Sequence, residues 1–217
     1  MADTPALPAY RRASTSQVFA LPNLLTYFRV LAVPLLVASY YLEGYIGRWL
    51  SLTIFLIACV SDFFDGYLAR VWKQTSALGR LLDPIADKLL VATSLMLLVS
   101  DHVIGGWSLV AALIILTREI FVSGLREFLA ELRVPVPVTR LAKWKTTLQM
   151  VAIGFLLVAP AGNSVFPGVL VPTPVGTYVG PITFIGLTLL WISALITLYT
   201  GYDYFRAGWR HLFSEEE

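Results

Sequence analysis

The chain has 217 residues, of which 57% are apolar and only 14% are charged, and its formal net charge is +2. A mean hydropathy of +0.73 excludes an ordinary water-soluble domain, and no nucleic-acid partner is expected. The single cysteine, Cys59, excludes a disulfide framework and a thiolate metal site.

Apolar runs divide the chain into membrane spans and short connections. A helix needs roughly 20 apolar residues to cross a bilayer core. Six runs meet this requirement, at about 24–43, 49–70, 82–100, 106–125, 142–160 and 181–202. We therefore predict an all-α polytopic membrane protein with six transmembrane helices. Its parts would be an N-terminal cytoplasmic or interfacial segment at 1–20, a six-helix domain at 21–207 and a cytoplasmic tail at 208–217.

Basic residues orient these spans, because short cytoplasmic loops collect Lys and Arg. Among the 16 Lys and Arg residues, only Arg48 falls in the connections at 43–48, 101–106 and 162–180. The side of the membrane opposite these three connections carries the other basic residues, and it is predicted to be cytoplasmic, together with both termini. The segment 1–20 is predicted to be either an interfacial helix or a disordered tail, and these alternatives stay open.

Polar residues recur in the first predicted helix. Asn23, Thr26 and Arg29 are spaced at i, i+3 and i+6, so the first two share a face and Arg29 lies further round. A structural alternative is a helix cap at Asn23 with an arginine that reaches the headgroups.

Four aspartates lie in the stretch "SDFFDGYLARVWKQTSALGRLLDPIADK", where the second predicted helix ends and the third begins. Ionisable side chains at membrane depth are costly and persist mainly inside bundles or wet cavities. Asp62 and Asp65 lie about 60° apart on a helix, and Asp83 and Asp87 about 40° apart. The short connection makes the two helices antiparallel neighbours, so all four carboxylates can converge. Such oxygen ligands suit Mg²⁺, Mn²⁺ or Ca²⁺.

Small residues and one arginine accompany the acids. Gly66, Ala69 and Gly79 allow close helix approach and leave room for a ligand, and Arg70 adds a cation. A divalent ion beside an arginine suits a phosphate-bearing substrate. In the structural alternative, Asp62 and Asp65 would pair with Arg70, and Asp83 before Pro84 would cap a helix.

Further cations lie at the inner ends of the fourth and fifth predicted helices. Arg118, Arg126, Lys143 and Lys145 could together hold a phosphate dianion, and Glu119 would orient one of the cations. The alternative is that they set topology and meet anionic headgroups, which is the role assigned to Arg133 and Arg140.

The spacing D-x2-D-G-x2-A-R-x8-G-x3-D-x3-D resembles the signature of the CDP-alcohol phosphatidyltransferase family. It is matched at every position, by Asp62, Asp65, Gly66, Ala69, Arg70, Gly79, Asp83 and Asp87. The stretches "LPNLLTYFRV", "TREIFVSGLRE" and "KWKTTLQM" extend the similarity, which covers about 21–150.

The resemblance implies a six-helix membrane enzyme that uses Mg²⁺ or Mn²⁺ and faces the cytoplasm from the inner membrane. Its metal ligands would be Asp62, Asp65, Asp83 and Asp87. Asp87 would be a ligand or the catalytic base, because it is the last acid of the set and lies one turn deeper in its helix than Asp83. The CDP site would be lined by Asn23, Thr26, Arg29, Asp62, Gly66, Ala69, Arg70 and Gly79. The most similar branch transfers the phosphatidyl group of CDP-diacylglycerol to glycerol 3-phosphate and releases CMP.

Two alternatives remain at this point. The acceptor could be inositol phosphate or a second phosphatidylglycerol, as in cardiolipin synthesis. A more distant alternative is a divalent-cation transporter, although that function favours acids at the bilayer midplane. A homodimer is left open.

Overall fold

Six long helices make up most of the described chain. The structure is a computed structural model, and it describes residues 21–72, 77–131, 140–174 and 177–212. The helices are α1 Leu21–Tyr40, α2 Gly44–Trp72, α3 Ala77–Ser100, α4 Ser108–Glu131, α5 Arg140–Asn163 and α6 Pro181–Leu212. The prediction of a helical protein is confirmed for these residues. The segment 1–20 lies outside them, and α6 extends beyond its predicted end at 202.

Five of the helices are long and apolar enough to cross a membrane, and α3 differs from them. Any 18-residue window of α3 contains Asp83, Asp87 and Lys88, which is more charge than an apolar span carries. With 24 residues, however, α3 is about 36 Å long, enough for a bilayer core of about 30 Å. Its charged residues therefore need partners inside the bundle.

The helices pack around a core to which all six contribute. Helix α1 packs against both α2 and α3, α5 packs against α6 and α2, and α4 packs against α6. Fully buried side chains in this core include Leu36, Phe55, Leu98, Ile115 and Leu156. The predicted direct pairing of α2 with α3 is wrong for the described residues, where these two helices make few contacts and α1 is the main partner of each.

Polar contacts join the helix ends that lie opposite the aspartates. Arg48 Nη2 donates to Asp101 Oδ2 at 2.7 Å, and the Arg48 guanidinium lies 4.0 Å from the ring centre of Tyr40. The Tyr40 hydroxyl also donates to Asp101 Oδ2, at 3.3 Å. These contacts connect α1, α2 and the end of α3 at one pole of the bundle.

The connection between α5 and α6 contains a short hairpin. Strands β1 (Val171–Pro172) and β2 (Tyr178–Val179) pair in antiparallel fashion. Asn163, the last residue of α5, accepts a hydrogen bond from the Ile182 amide at 3.0 Å. It thereby supplies a partner to the first turn of α6, whose amides lack intrahelical acceptors.

Candidate active site

Three of the four predicted acids meet at one buried cation. Arg29 of α1 is fully buried, with 0% of its surface exposed. Its Nη1 atom lies 2.8 Å from Asp62 Oδ1, 2.7 Å from Asp87 Oδ1 and 3.5 Å from Asp83 Oδ1. The three carboxylates are 45%, 43% and 44% exposed in the same order, so each keeps one side open. We call this group the aspartate cluster.

Helix α1 supplies more than the arginine. Thr26, one turn earlier, donates to Asp83 Oδ1 at 3.2 Å, and both Thr26 and Asn23 are 3% exposed. The predicted polar face of α1 is therefore turned into the bundle. The alternative that the Arg29 side chain reaches the headgroups is wrong, because this side chain is buried in contact with three acids.

The structural alternative for Asp83 is also wrong. Helix α3 begins at Ala77, so Asp83 lies inside the helix and does not cap it. Pro84 is accommodated within the same helix, and Gly79 is buried near its start. Both acids of α3 therefore project from a continuous helix, on the side that faces α1.

The ligand atoms of the aspartate cluster are carboxylate oxygens, the type that a hard divalent ion prefers. Three carboxylate oxygens converge on one positively charged group, and all-oxygen ligand sets suit Mg²⁺ or Mn²⁺. Among the described residues, no three His, Cys, Asp or Glu side chains are arranged to hold a metal ion directly. The guanidinium of Arg29 lies between the three acids. The Asp65 side chain, the predicted fourth ligand, lies outside the description.

A cavity of about 530 Å³ adjoins the cluster between α3, α4 and α5. Its polar lining includes Asp87, Lys88, Arg118, Glu119, Arg126 and Gln149. Asp87 belongs to both the cavity and the aspartate cluster, so the two features share a carboxylate. We call this space the cationic cavity, because three of the six side chains carry positive charge.

The predicted basic residues divide into two groups. Arg118 and Arg126 line the cationic cavity, and Arg118 Nη2 donates to Thr200 Oγ1 of α6 at 3.1 Å. Lys145 is 2% exposed, forms an ion pair with Glu119 and is not among the described residues that line the cavity. The prediction that Glu119 orients a cation is confirmed, and the cation is Lys145.

Lys88 is a cavity residue that was not predicted from the sequence. It follows Asp87 directly on α3, and its Nζ atom donates to Ser123 Oγ of α4. The available signal was a lysine inside the predicted span at 82–100, which is a costly position without a function or a partner.

An apolar groove lies between α2 and α5. It has a volume of about 270 Å³ and is lined by Leu52, Phe55, Cys59, Phe155 and other apolar side chains. Met150 lines both this groove and the cationic cavity. A charged space and an apolar space therefore adjoin each other beside the aspartate cluster.

Some predicted site residues lie outside the described side chains. These are Asp65, Gly66, Ala69, Arg70 and Lys143.

The membrane-spanning helices form a bundle that contains an acidic cluster, a cationic cavity and an apolar groove. These features define a class of protein, the polytopic membrane proteins with a polar site at one pole of the bundle. Comparison with known proteins identifies the family within this class. The model of the CDP-alcohol phosphatidyltransferase family matches residues 19–199, so the chain belongs to that family.

Curated relatives cover nearly the whole chain. A protein of Cereibacter sphaeroides named CDP-diacylglycerol--glycerol-3-phosphate 3-phosphatidyltransferase is 40% identical over 222 residues, which is 91% of this chain and 99% of that protein. Proteins with the same name from Rickettsia typhi and Salmonella choleraesuis are 41% and 39% identical, and they cover 86% and 88% of this chain. The matches cover 96% and 95% of those two proteins.

Proposed function

We propose that this protein transfers the phosphatidyl group of CDP-diacylglycerol to glycerol 3-phosphate, giving phosphatidylglycerophosphate and CMP. The observation that carries the proposal is the double position of Asp87, in the aspartate cluster and in the wall of the cationic cavity. A donor bound at the cluster and an acceptor bound in the cavity would then meet at one carboxylate. The names of the relatives support the same reaction.

A bound Mg²⁺ or Mn²⁺ is part of this proposal, with Asp62, Asp65, Asp83 and Asp87 as the residues that would hold it. The ion would neutralise the pyrophosphate of the nucleotide donor. Convergence of three of these carboxylates on a cationic group supports the assignment.

Asp87 would act on the acceptor. The 1-hydroxyl of glycerol 3-phosphate passes its proton to the Asp87 carboxylate while its oxygen bonds to the phosphorus that carries the diacylglycerol. The bond from that phosphorus to the CMP oxygen breaks, and CMP leaves with the electron pair. Arg118, Arg126 and Lys88 would hold the acceptor phosphate, since guanidinium groups bind phosphate through two hydrogen bonds and lysine acts as a point charge.

The apolar groove supports a lipid donor. Acyl chains need an apolar surface that reaches the reacting phosphate, and Met150 joins the groove to the cationic cavity. A water-soluble donor without acyl chains would make no contact with this apolar surface.

The reaction is tested by incubating the purified protein in detergent with CDP-diacylglycerol, Mg²⁺ or Mn²⁺ and one acceptor at a time, and measuring CMP release. We expect release with glycerol 3-phosphate to exceed that with inositol phosphate or phosphatidylglycerol. Preference for either of those acceptors would assign another reaction of the family. Absence of CMP together with Mn²⁺ uptake into proteoliposomes would support the transporter instead.

Replacing Arg126 by glutamine should raise the KM for glycerol 3-phosphate by about one to two decades, because a charged hydrogen bond is worth about 1.5–3 kcal/mol. The KM for CDP-diacylglycerol should change much less. Arg140→Gln is the matched control, since Arg140 is assigned to topology. Equal KM values for glycerol 3-phosphate in both variants would remove Arg126 from the acceptor site.

We also propose that both termini and the aspartate cluster face the cytoplasm from the inner membrane, which the asymmetry of basic residues supports. In a Cys59→Ser background, single cysteines at Gln74 and Val165 should react with an impermeant maleimide from opposite faces of sealed vesicles. Gln74 lies between α2 and α3 in the sequence, and Val165 follows α5 and is 66% exposed. Labelling of both from one face would contradict this topology.

A further inference from the structure

A buried amide oxygen in the wall of the cationic cavity has no partner in the described part of the protein. Gln149 of α5 is 1% exposed, and its Oε1 atom accepts no hydrogen bond from the described residues. The side chain nevertheless lines the cavity. Buried polar atoms in folded proteins nearly always have a partner, so an exception at a cavity wall needs an explanation.

Neighbouring residues of α5 show where Gln149 lies relative to the cavity. Lys145, one turn earlier on α5, is fixed by its ion pair with Glu119 of α4. Thr146 precedes Gln149 by three residues and lines the same cavity, so both lie on one face of α5. Asp87 enters the cavity from α3. Gln149 therefore lies in the wall of the space that Asp87 shares, and its amide oxygen is an acceptor with no partner among the described residues.

Among the other polar groups of the cavity, Glu119 pairs with Lys145, Ser123 accepts from Lys88, and Thr146 has a contact within the protein. The remaining ones match parts of a glycerol phosphate. The cations Lys88, Arg118 and Arg126 suit the phosphate, and the Asp87 carboxylate suits the hydroxyl that reacts. A glycerol phosphate has one more hydroxyl, at its middle carbon, and this hydroxyl needs an acceptor when it is removed from water. Positive side chains cannot serve, because ammonium and guanidinium groups only donate.

We propose that Gln149 is a specificity residue whose Oε1 atom accepts a hydrogen bond from the middle hydroxyl of the acceptor. This inference rests on the proposed function and names the chemistry that the cavity selects: a three-carbon phosphate with a second, non-reacting hydroxyl. A site with a buried acceptor discriminates against a substrate that lacks the matching donor, because the acceptor is then left unpaired.

The experiment compares glycerol 3-phosphate with 3-hydroxypropyl phosphate, which lacks only the middle hydroxyl. The measured quantity is the ratio of kcat/KM for the two acceptors in one enzyme preparation, so the folded fraction cancels. We expect wild type to prefer glycerol 3-phosphate by roughly tenfold or more. The near-isosteric Gln149→Met should reduce this ratio to about one.

Two further variants separate the hydrogen bond from other effects. Gln149→Glu keeps an acceptor oxygen at the same reach, so it should retain the preference even where charge repulsion slows both acceptors. Thr197→Val removes the side-chain hydroxyl of Thr197 in α6. Thr197 is 0% exposed, and its hydroxyl also has no partner among the described residues. Thr197 is not among the described cavity-lining residues, so the wild-type ratio should remain.

The assignment is overturned if wild type does not discriminate between the two acceptors, or if Gln149→Met keeps the full preference. If the Gln149 amide oxygen binds only water in the cavity, Gln149→Met would keep the full preference. Absence of CMP release from glycerol 3-phosphate by wild type would overturn the proposed function and this assignment together.

Discussion

Asp87→Asn should lower kcat by at least about a hundredfold, whereas the affinity for CDP-diacylglycerol should stay within severalfold of wild type. An alcohol is a poor nucleophile at neutral pH, and a base within hydrogen-bond reach typically contributes about 10²–10⁴-fold. Asp87 is in the right place, since it belongs to the aspartate cluster and lines the cationic cavity. Asparagine keeps the shape and one ligand oxygen but cannot accept the proton.

Asp62→Asn is the matched comparison, because Asp62 also contacts Arg29 but is not among the described residues that line the cavity. It should weaken the binding of Mn²⁺ and of the nucleotide donor, which isothermal titration calorimetry measures directly. Turnover at saturating Mn²⁺ separates the two roles. If Asp87→Asn turns over near the wild-type rate there, Asp87 is not the base.

Arg29→Met should lower the melting temperature in EDTA by on the order of 5 °C and should increase the stabilisation that Mn²⁺ gives. Removing one partner of a buried ion pair costs about 3–5 kcal/mol, and we expect less here because each carboxylate is about two-fifths exposed. Without the guanidinium, Asp62, Asp83 and Asp87 repel one another. A divalent ion should then replace the missing charge.

The control for this prediction is Arg48→Met at the opposite pole. It also removes an ion pair, with Asp101, but leaves the aspartate cluster intact. Its melting temperature should fall equally in EDTA and in Mn²⁺, as monitored by intrinsic tryptophan fluorescence in detergent. A fall in Arg29→Met that Mn²⁺ does not reverse would mean that Arg29 stabilises the bundle independently of the metal ligands.

The sequence by itself determined the six helices and the family, and it predicted which acids would form a site. Helical spans follow from local composition, because each satisfies its own backbone hydrogen bonds and needs only length and apolarity. The motif residues could be read from their spacing, since a helix turns by about 100° per residue and thereby fixes which side chains share a face. That Glu119 orients a cation was predicted from its charge among basic residues, although the sequence did not say which cation.

The tertiary structure decided which faces meet. Sequence spacing describes one helix at a time, so the short connection between α2 and α3 suggested a direct pair, whereas α1 packs against both and places Arg29 among their acids. The ion pair between Glu119 of α4 and Lys145 of α5 likewise joins side chains of different helices, and Lys145 is not among the described residues that line the cavity. Lys88 and Gln149 became cavity residues for the same reason. Contacts between residues far apart in the chain depend on how whole helix surfaces fit together, and no local pattern contains that information.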